Sequence, residues 1–110
     1  MVINDIVEKL HYKVLAGADF LNRPVQGGYV ADLLSCVMAG AEAGVAWITL
    51  QTHTNIVAVA ALNEVACVIV AENAVVHQST LDKATQQDVV VLSSPEPIYE
   101  TVGQLIALGI

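Results

Sequence analysis

The residues Gln51, Thr52, His53, Thr54 and Asn55 follow directly on the hydrophobic run Trp47–Leu50. Together they offer three hydroxyl or imidazole groups and two amides within five positions. Thr, Asn and Gln side chains supply neutral hydrogen bonds to a phosphate, a ribose or a base. His53 can donate or accept, and it changes charge near neutral pH. Thr54 and Asn55 have a second reading, because either can cap the amino end of a following helix. Such a helix end presents free N–H groups and a partial positive charge, which suits an anion without Lys or Arg. Two further polar sets follow apolar runs in the same way, Glu72 and Asn73 after "CVIVA" and Ser93 and Ser94 after "VVVL".

For these sets to meet, the runs before them must be neighbouring parallel strands. "VAWITL" (Val45–Leu50) is continuously apolar, as a strand buried on both faces is. "CVIVA" and "VVVL" (Val89–Leu92) read the same way. Between them lie helical patterns, one from Thr54 or Asn55 to about Val65 and one opened by Ser79 or Thr80 and running to about Gln87. Asp32 is placed to cap an earlier helix carrying Leu33, Leu34, Val37, Met38 and Ala41, which Gly44 would stop. Ser94 and the prolines of "SSPEP" introduce a last helix with Ile98, Val102, Leu105 and Ile106 on one face. At the start, Val2–Leu10 has helical spacing, with Asn4 and Asp5 in its first turn. Short strands follow at about Tyr12–Ala16 and in "VQGGYVA", where Gly27 and Gly28 suggest a bulge or a close backbone approach. Only about nine residues separate those two strands, too few for a helical crossover, so they need not be parallel neighbours. The expectation is one α/β domain over residues 1–110, with a mostly parallel sheet of four to five strands and helices on both faces. Ligands of such sheets bind outside the carboxyl ends of the strands.

Composition narrows the functional classes. The chain of 110 residues carries a net charge of −7, and Lys9, Lys13, Arg23 and Lys83 are its only strong cations. A nucleic-acid partner needs several phosphate contacts from Lys and Arg, so none is expected. Charged residues make up 14% of the chain against 55% hydrophobic, with a mean hydropathy of +0.63. So low a charge, with helices rich in Ala and Val, points to apolar surface covered by another subunit, most simply in a homodimer. The most apolar window, Ile56–Ala71, contains Asn63 and Glu64 and is too short to span a bilayer, so no membrane partner is expected. "MVINDIVEKL" lacks a basic stretch before an apolar core, and a cytoplasmic location is expected.

Catalytic motifs are missing. There is no phosphate-binding GxxxxGK[ST], no GxGxxG and no GxSxG. Asp32 and Glu72 could meet in space, but their spacing does not require it. Cys36 and Cys67 sit in apolar stretches and read as isolated buried thiols, outside any CxxC. His11, His53 and His77 match no zinc spacing. No catalytic residue, metal site or cofactor is assigned; the reading leans away from an enzyme without deciding it, and a small enzyme would have to work through Asp32, His53 or Glu72.

"RPVQGGYVADLLSCVMAGA", "AWITLQTHTNIVAVA" and "CVIVAEN" together resemble the DRTGG-domain family over nearly the whole chain. The most specific part is the Gly-Gly-x-Val-x-Asp-Leu-Leu arrangement at Gly27–Leu34. A contiguous Asp-Arg-Thr-Gly-Gly is not present: Pro24 follows Arg23, and Gln26 precedes the glycine pair. DRTGG domains accompany CBS domains in regulated pyrophosphatases and occur in long phosphotransacetylases, and they are similar to the amino-terminal domain of HPr kinase/phosphorylase. The resemblance implies a regulatory or assembly module. The expected ligand is a nucleotide or other small anion, held by Gln51, Thr52, His53 and Asn55 with Asp32 nearby, and with Gly27 and Gly28 allowing close backbone approach. The alternative is an assembly subunit that oligomerises or docks on a larger redox or phosphotransfer enzyme.

Overall fold

A computed structural model describes all residues, Met1–Ile110. The elements in chain order are α1 (Ile3–Leu10), β1 (Lys13–Ala16), a 3-10 turn (Ala18–Phe20), β2 (Gly27–Val30), α2 (Leu34–Gly40), β3 (Val45–Thr49), α3 (Asn55–Asn63), β4 (Cys67–Val70), α4 (Gln78–Gln86), β5 (Val91–Ser93) and α5 (Ile98–Ala107). They form one five-stranded sheet in the order β1-β5-β4-β3-β2. Strands β2 to β5 are parallel, and β1 runs antiparallel to β5 at one edge. The architecture is the expected α/β sheet, mostly parallel, with helices on both faces.

Because β2, β3, β4 and β5 are neighbours in chain order, successive right-handed crossovers place α2, α3 and α4 on the same face. There Val45, Trp47, Val68, Val70 and Val91 pack against Val37 of α2, Ile56 and Ala60 of α3 and Ala84 of α4. The alternate strand residues Ala46, Ile48, Cys67, Ile69 and Leu92 meet Ile3 and Ile6 of α1 and Leu105 of α5 on the other face. Period-2 alternation therefore feeds two cores rather than one core and a solvent face, and this is why β3 and β4 read as unbroken apolar runs. Trp47 is fully buried, and its indole N–H donates to the Ala31 carbonyl at 2.9 Å, fixing the exit of β2 beside β3.

Several local expectations change. The helix caps do not come from the side chains the sequence offered: α2 follows Leu33, α3 follows Thr54, α4 follows His77 and α5 follows Pro97, none with a side-chain cap bond. Gly44 does not stop α2, which ends at Gly40. Its positive φ of 81° instead turns the chain into β3 against the Gln26 side chain. Gly27 and Gly28 pair in continuous register with Val45 and Ala46, and the one irregular register lies between Val14 and Ala16 of β1. On α5 the buried residues are Thr101 and Leu105, while Ile106 is 64% exposed, so the expected apolar face is rotated. Cys67 is buried as expected, but Cys36 is exposed, because α2 packs on the sheet through Val37. No helix is long and apolar enough to cross a membrane.

Candidate functional site

The carboxyl ends of β2 and β3 meet at Asp32. Its Oδ1 accepts from the Thr49 hydroxyl at 2.8 Å and from the Leu50 backbone N–H at 2.7 Å. The Gln51 amide nitrogen donates to the Asp32 carbonyl at 3.1 Å, and the Gln51 backbone N–H donates to Thr49 Oγ1 at 3.1 Å. Thr49 is fully buried, so its hydroxyl needs these partners. Asp32 is therefore not a helix cap. It ties two parallel strands together where a strand ladder has run out. Beside it Leu33, Leu34, Ser35 and Gln51 complete a shallow open cavity of about 600 Å³.

From β3 the chain passes through Thr52 and His53 into α3. The Thr52 carbonyl accepts from the buried Thr80 hydroxyl of α4 at 2.8 Å, which holds the amino ends of α3 and α4 side by side. This brings together the exposed imidazoles of His53 and His77, whose ring centroids are 4.6 Å apart in an edge-to-face arrangement. His77 lies at the amino end of α4. In the sequence it entered only as one of three histidines without zinc spacing, and the sole hint of its place at this edge was its position a few residues beyond a buried strand. Asn55 is exposed in the first turn of α3. No third His, Cys, Asp or Glu joins the pair in a group able to hold a metal ion.

The other half of this edge is closed. After β4, Glu72 and Asn73 adopt left-handed conformations (φ 60° and 53°), with their N–H groups donating to the carbonyls of Glu96 and Ser94 at 2.8 and 2.9 Å. Ser94 and Thr101, both fully buried, share a 2.8 Å hydroxyl–hydroxyl bond. The chain leaves β4 toward α4 on one face and β5 toward α5 on the other, the divergence that opens a ligand crevice in many α/β sheets. Here backbone bonds seal it. Gln51, Thr52, His53, Asn55 and Asp32 thus gather on the open half, whereas Glu72, Asn73, Ser93 and Ser94 stitch the closed half. Gly27 and Gly28 belong to neither: they pair with the first residues of β3, at the amino half of the sheet.

No protein-family model matches the chain, and comparison with curated proteins finds no match. Among solved structures, it is similar to the CBS and DRTGG domains of the regulatory region of Clostridium perfringens pyrophosphatase, in complex with the activator diadenosine tetraphosphate. The two superpose with a TM-score of 0.77 over 96% of this chain and 46% of that one, at 14% sequence identity. The fold is DRTGG-like. The chain spans about half the length of that structure, and at so low an identity the likeness concerns architecture.

Proposed function

We propose that this DRTGG-like chain is a non-catalytic regulatory module of the cytoplasm that senses a nucleotide or other small anion at the open half of the carboxyl edge. The observation that supports this reading is that Gln51, Thr52, His53 and Asn55 lead in sequence from the open cavity at Asp32 and Gln51 into the amino end of α3, which lacks a side-chain cap. The Ile56 and Val57 N–H groups there donate to the His53 and Thr54 carbonyls, so it is the partial positive charge of the helix end that favours a phosphate, with the His53 and Asn55 side chains adding donors. A phosphate would be repelled by Asp32, so its carboxylate suits a ribose hydroxyl, which donates to it. Support of a coarser kind comes from the structural relative, a regulatory region bound to a dinucleotide activator. The test is thermal shift with AMP, ATP, diadenosine tetraphosphate and inorganic phosphate, on the wild type and on His53→Ala and Asn55→Ala. A stabilising compound whose effect is lost in both variants supports the site. Failure of every compound, or an effect untouched by both substitutions, removes it.

A second reading, an assembly subunit, is favoured by the free edge of β2. Val30 (44% exposed), Leu33 (65%) and Ile106 (64%) are exposed on and around that unpaired strand. Light scattering at high protein concentration decides: a homodimer supports this reading, and a strict monomer removes self-assembly.

A further inference from the structure

At the opposite, amino edge of the sheet, Arg23, Glu64, Gln87 and Asp88 rim a cavity of about 350 Å³. Its floor is small and apolar, with Ala60 and Ala61 from α3, Ala66 before β4 and Val89 before β5. We propose that this cavity is a second binding site, for a small zwitterion carrying a carboxylate and an ammonium group, of the size and chemistry of a free amino acid.

Arg23 supplies the anion contact. It is one of four strong cations in a chain of net charge −7. Its guanidinium is held in place from two sides, stacked 4.5 Å from the Phe20 ring centroid and donating through one nitrogen to the Asp88 carbonyl at 2.6 Å. That bond is to a carbonyl, not to a carboxylate, so the charge is not neutralised by it. A guanidinium has five N–H donors in a rigid fork, and one such bond leaves the fork able to take a carboxylate.

The rest of the rim has the opposite sign. Glu64 and Gln87 are the residues at which α3 and α4 end, and helix carboxyl ends carry a partial negative charge. Glu64 and Asp88 add two carboxylates. A simple anion would be repelled by these carboxylates and a simple cation by Arg23, whereas a zwitterion meets both. At about 350 Å³ the cavity lies at the low end for small-molecule sites and has room for a molecule of amino-acid size. Glu64 and Asp88 also hold left-handed φ values of 54° and 57°, a conformation glycine adopts without strain. The rim keeps a side chain at two places where the backbone favours none.

The experiment is titration of the full chain with each of the twenty protein amino acids at millimolar concentration, followed by backbone amide NMR. Their N-acetyl and carboxamide forms serve as controls. The expected result is that one or more free amino acids shift the amides of residues 60–66 and 87–89, while the blocked forms do not. Arg23→Gln and Glu64→Gly each weaken binding by about tenfold or more, the range for loss of a charge-assisted hydrogen bond. Glu64→Gly suits its backbone conformation, so it stays folded even if Arg23→Gln does not. The proposal is overturned if no free amino acid shifts these amides, if blocked forms bind equally, or if Glu64→Gly binds as the wild type does. Amides of residues 49–55 report the carboxyl edge separately, so the two sites are judged independently.

Discussion

Asp32 and Leu50 are joined across the carboxyl ends of β2 and β3 by a 2.7 Å hydrogen bond from the Leu50 amide to Oδ1. The same oxygen takes the buried Thr49 hydroxyl, so a single carboxylate replaces the next rung of the ladder. Asp32→Ala is expected to lower stability by about 1–3 kcal/mol, because both donors lose their acceptor. Asp32→Asn keeps an oxygen there and should cost less. Chemical denaturation of the three proteins checks the order, and equal stability of wild type and Asp32→Ala would contradict it.

Gly17 has a positive φ of 83°, and a Cβ built on it would lie 2.7 Å from the Val90 Cα. Both the conformation and the backbone contact are intolerant of a side chain. Gly17→Ala is expected to destabilise by at least about 2 kcal/mol, combining a left-handed alanine with displacement of β5. Loss of the thermal transition, or a large fall in its midpoint, is the expected readout.

Thr101 Oγ1 lies 2.8 Å from Ser94 Oγ and 3.2 Å from the Glu96 carbonyl. Thr101→Val keeps the shape and removes the hydroxyl, leaving the buried Ser94 with one partner fewer. A cost of about 1–3 kcal/mol is expected. The double variant Ser94→Ala/Thr101→Val should cost less than the sum of the single changes, since the second substitution removes the group the first left unpaired.

The two thiols should differ sharply. Cys36 is exposed and Cys67 is buried, so a thiol reagent added to the native protein should label one cysteine and label both only after unfolding. Burial pushes the Cys67 thiol up from 9.0 to about 12, opposed by the charge of Arg23. Burial also raises the Tyr12 phenol above its ordinary 10.0, while the neighbouring Ser94 and Thr101 hydroxyls pull it down. In both cases the folded state keeps its proton at a pH where the unfolded chain has lost it. Stability is therefore full below about pH 9 and falls as pH rises toward 12. For Cys67 alone the eventual loss is on the order of 4 kcal/mol. Cys67→Ala should flatten this slope, and unfolding curves from pH 8.5 upward on both proteins check it.

How much of this was written in the sequence depended on the range of the interactions. The unbroken apolar runs gave β3 and β4 almost to the residue, because burial on both faces leaves no other pattern. Strand β5 begins two residues later than "VVVL" suggested and ends one later, at Ser93. The Val89 amide is spent on the Ala84 carbonyl, closing α4 before the strand begins. Besides Ile106, Cys36 and Gly44, the misread residues were polar ones. Asp32, Thr80 and Ser94 all had the chemistry of local caps, yet each bonds a residue brought near by the fold: Thr49 and Leu50, Thr52, and Thr101. Periodicity predicts where a helix starts, but cannot say whether a hydroxyl there turns inward to a neighbouring segment. The meeting of His53 with His77 was hidden for the same reason, since it depends on α3 and α4 lying side by side. The candidate residues at the β3 exit were legible by position alone.

The two borders of the sheet are unlike. On one side β1 starts with Lys13 and has its register broken between Val14 and Ala16. Each of these features discourages another strand from adding there. On the other side, β2 is regular and begins with two glycines. A molecule with one blunt border and one receptive border can extend its sheet only once. Two such molecules joined at β2 would bury the receptive border of each and present only blunt ones, so growth ends at a closed pair and does not continue into a fibre.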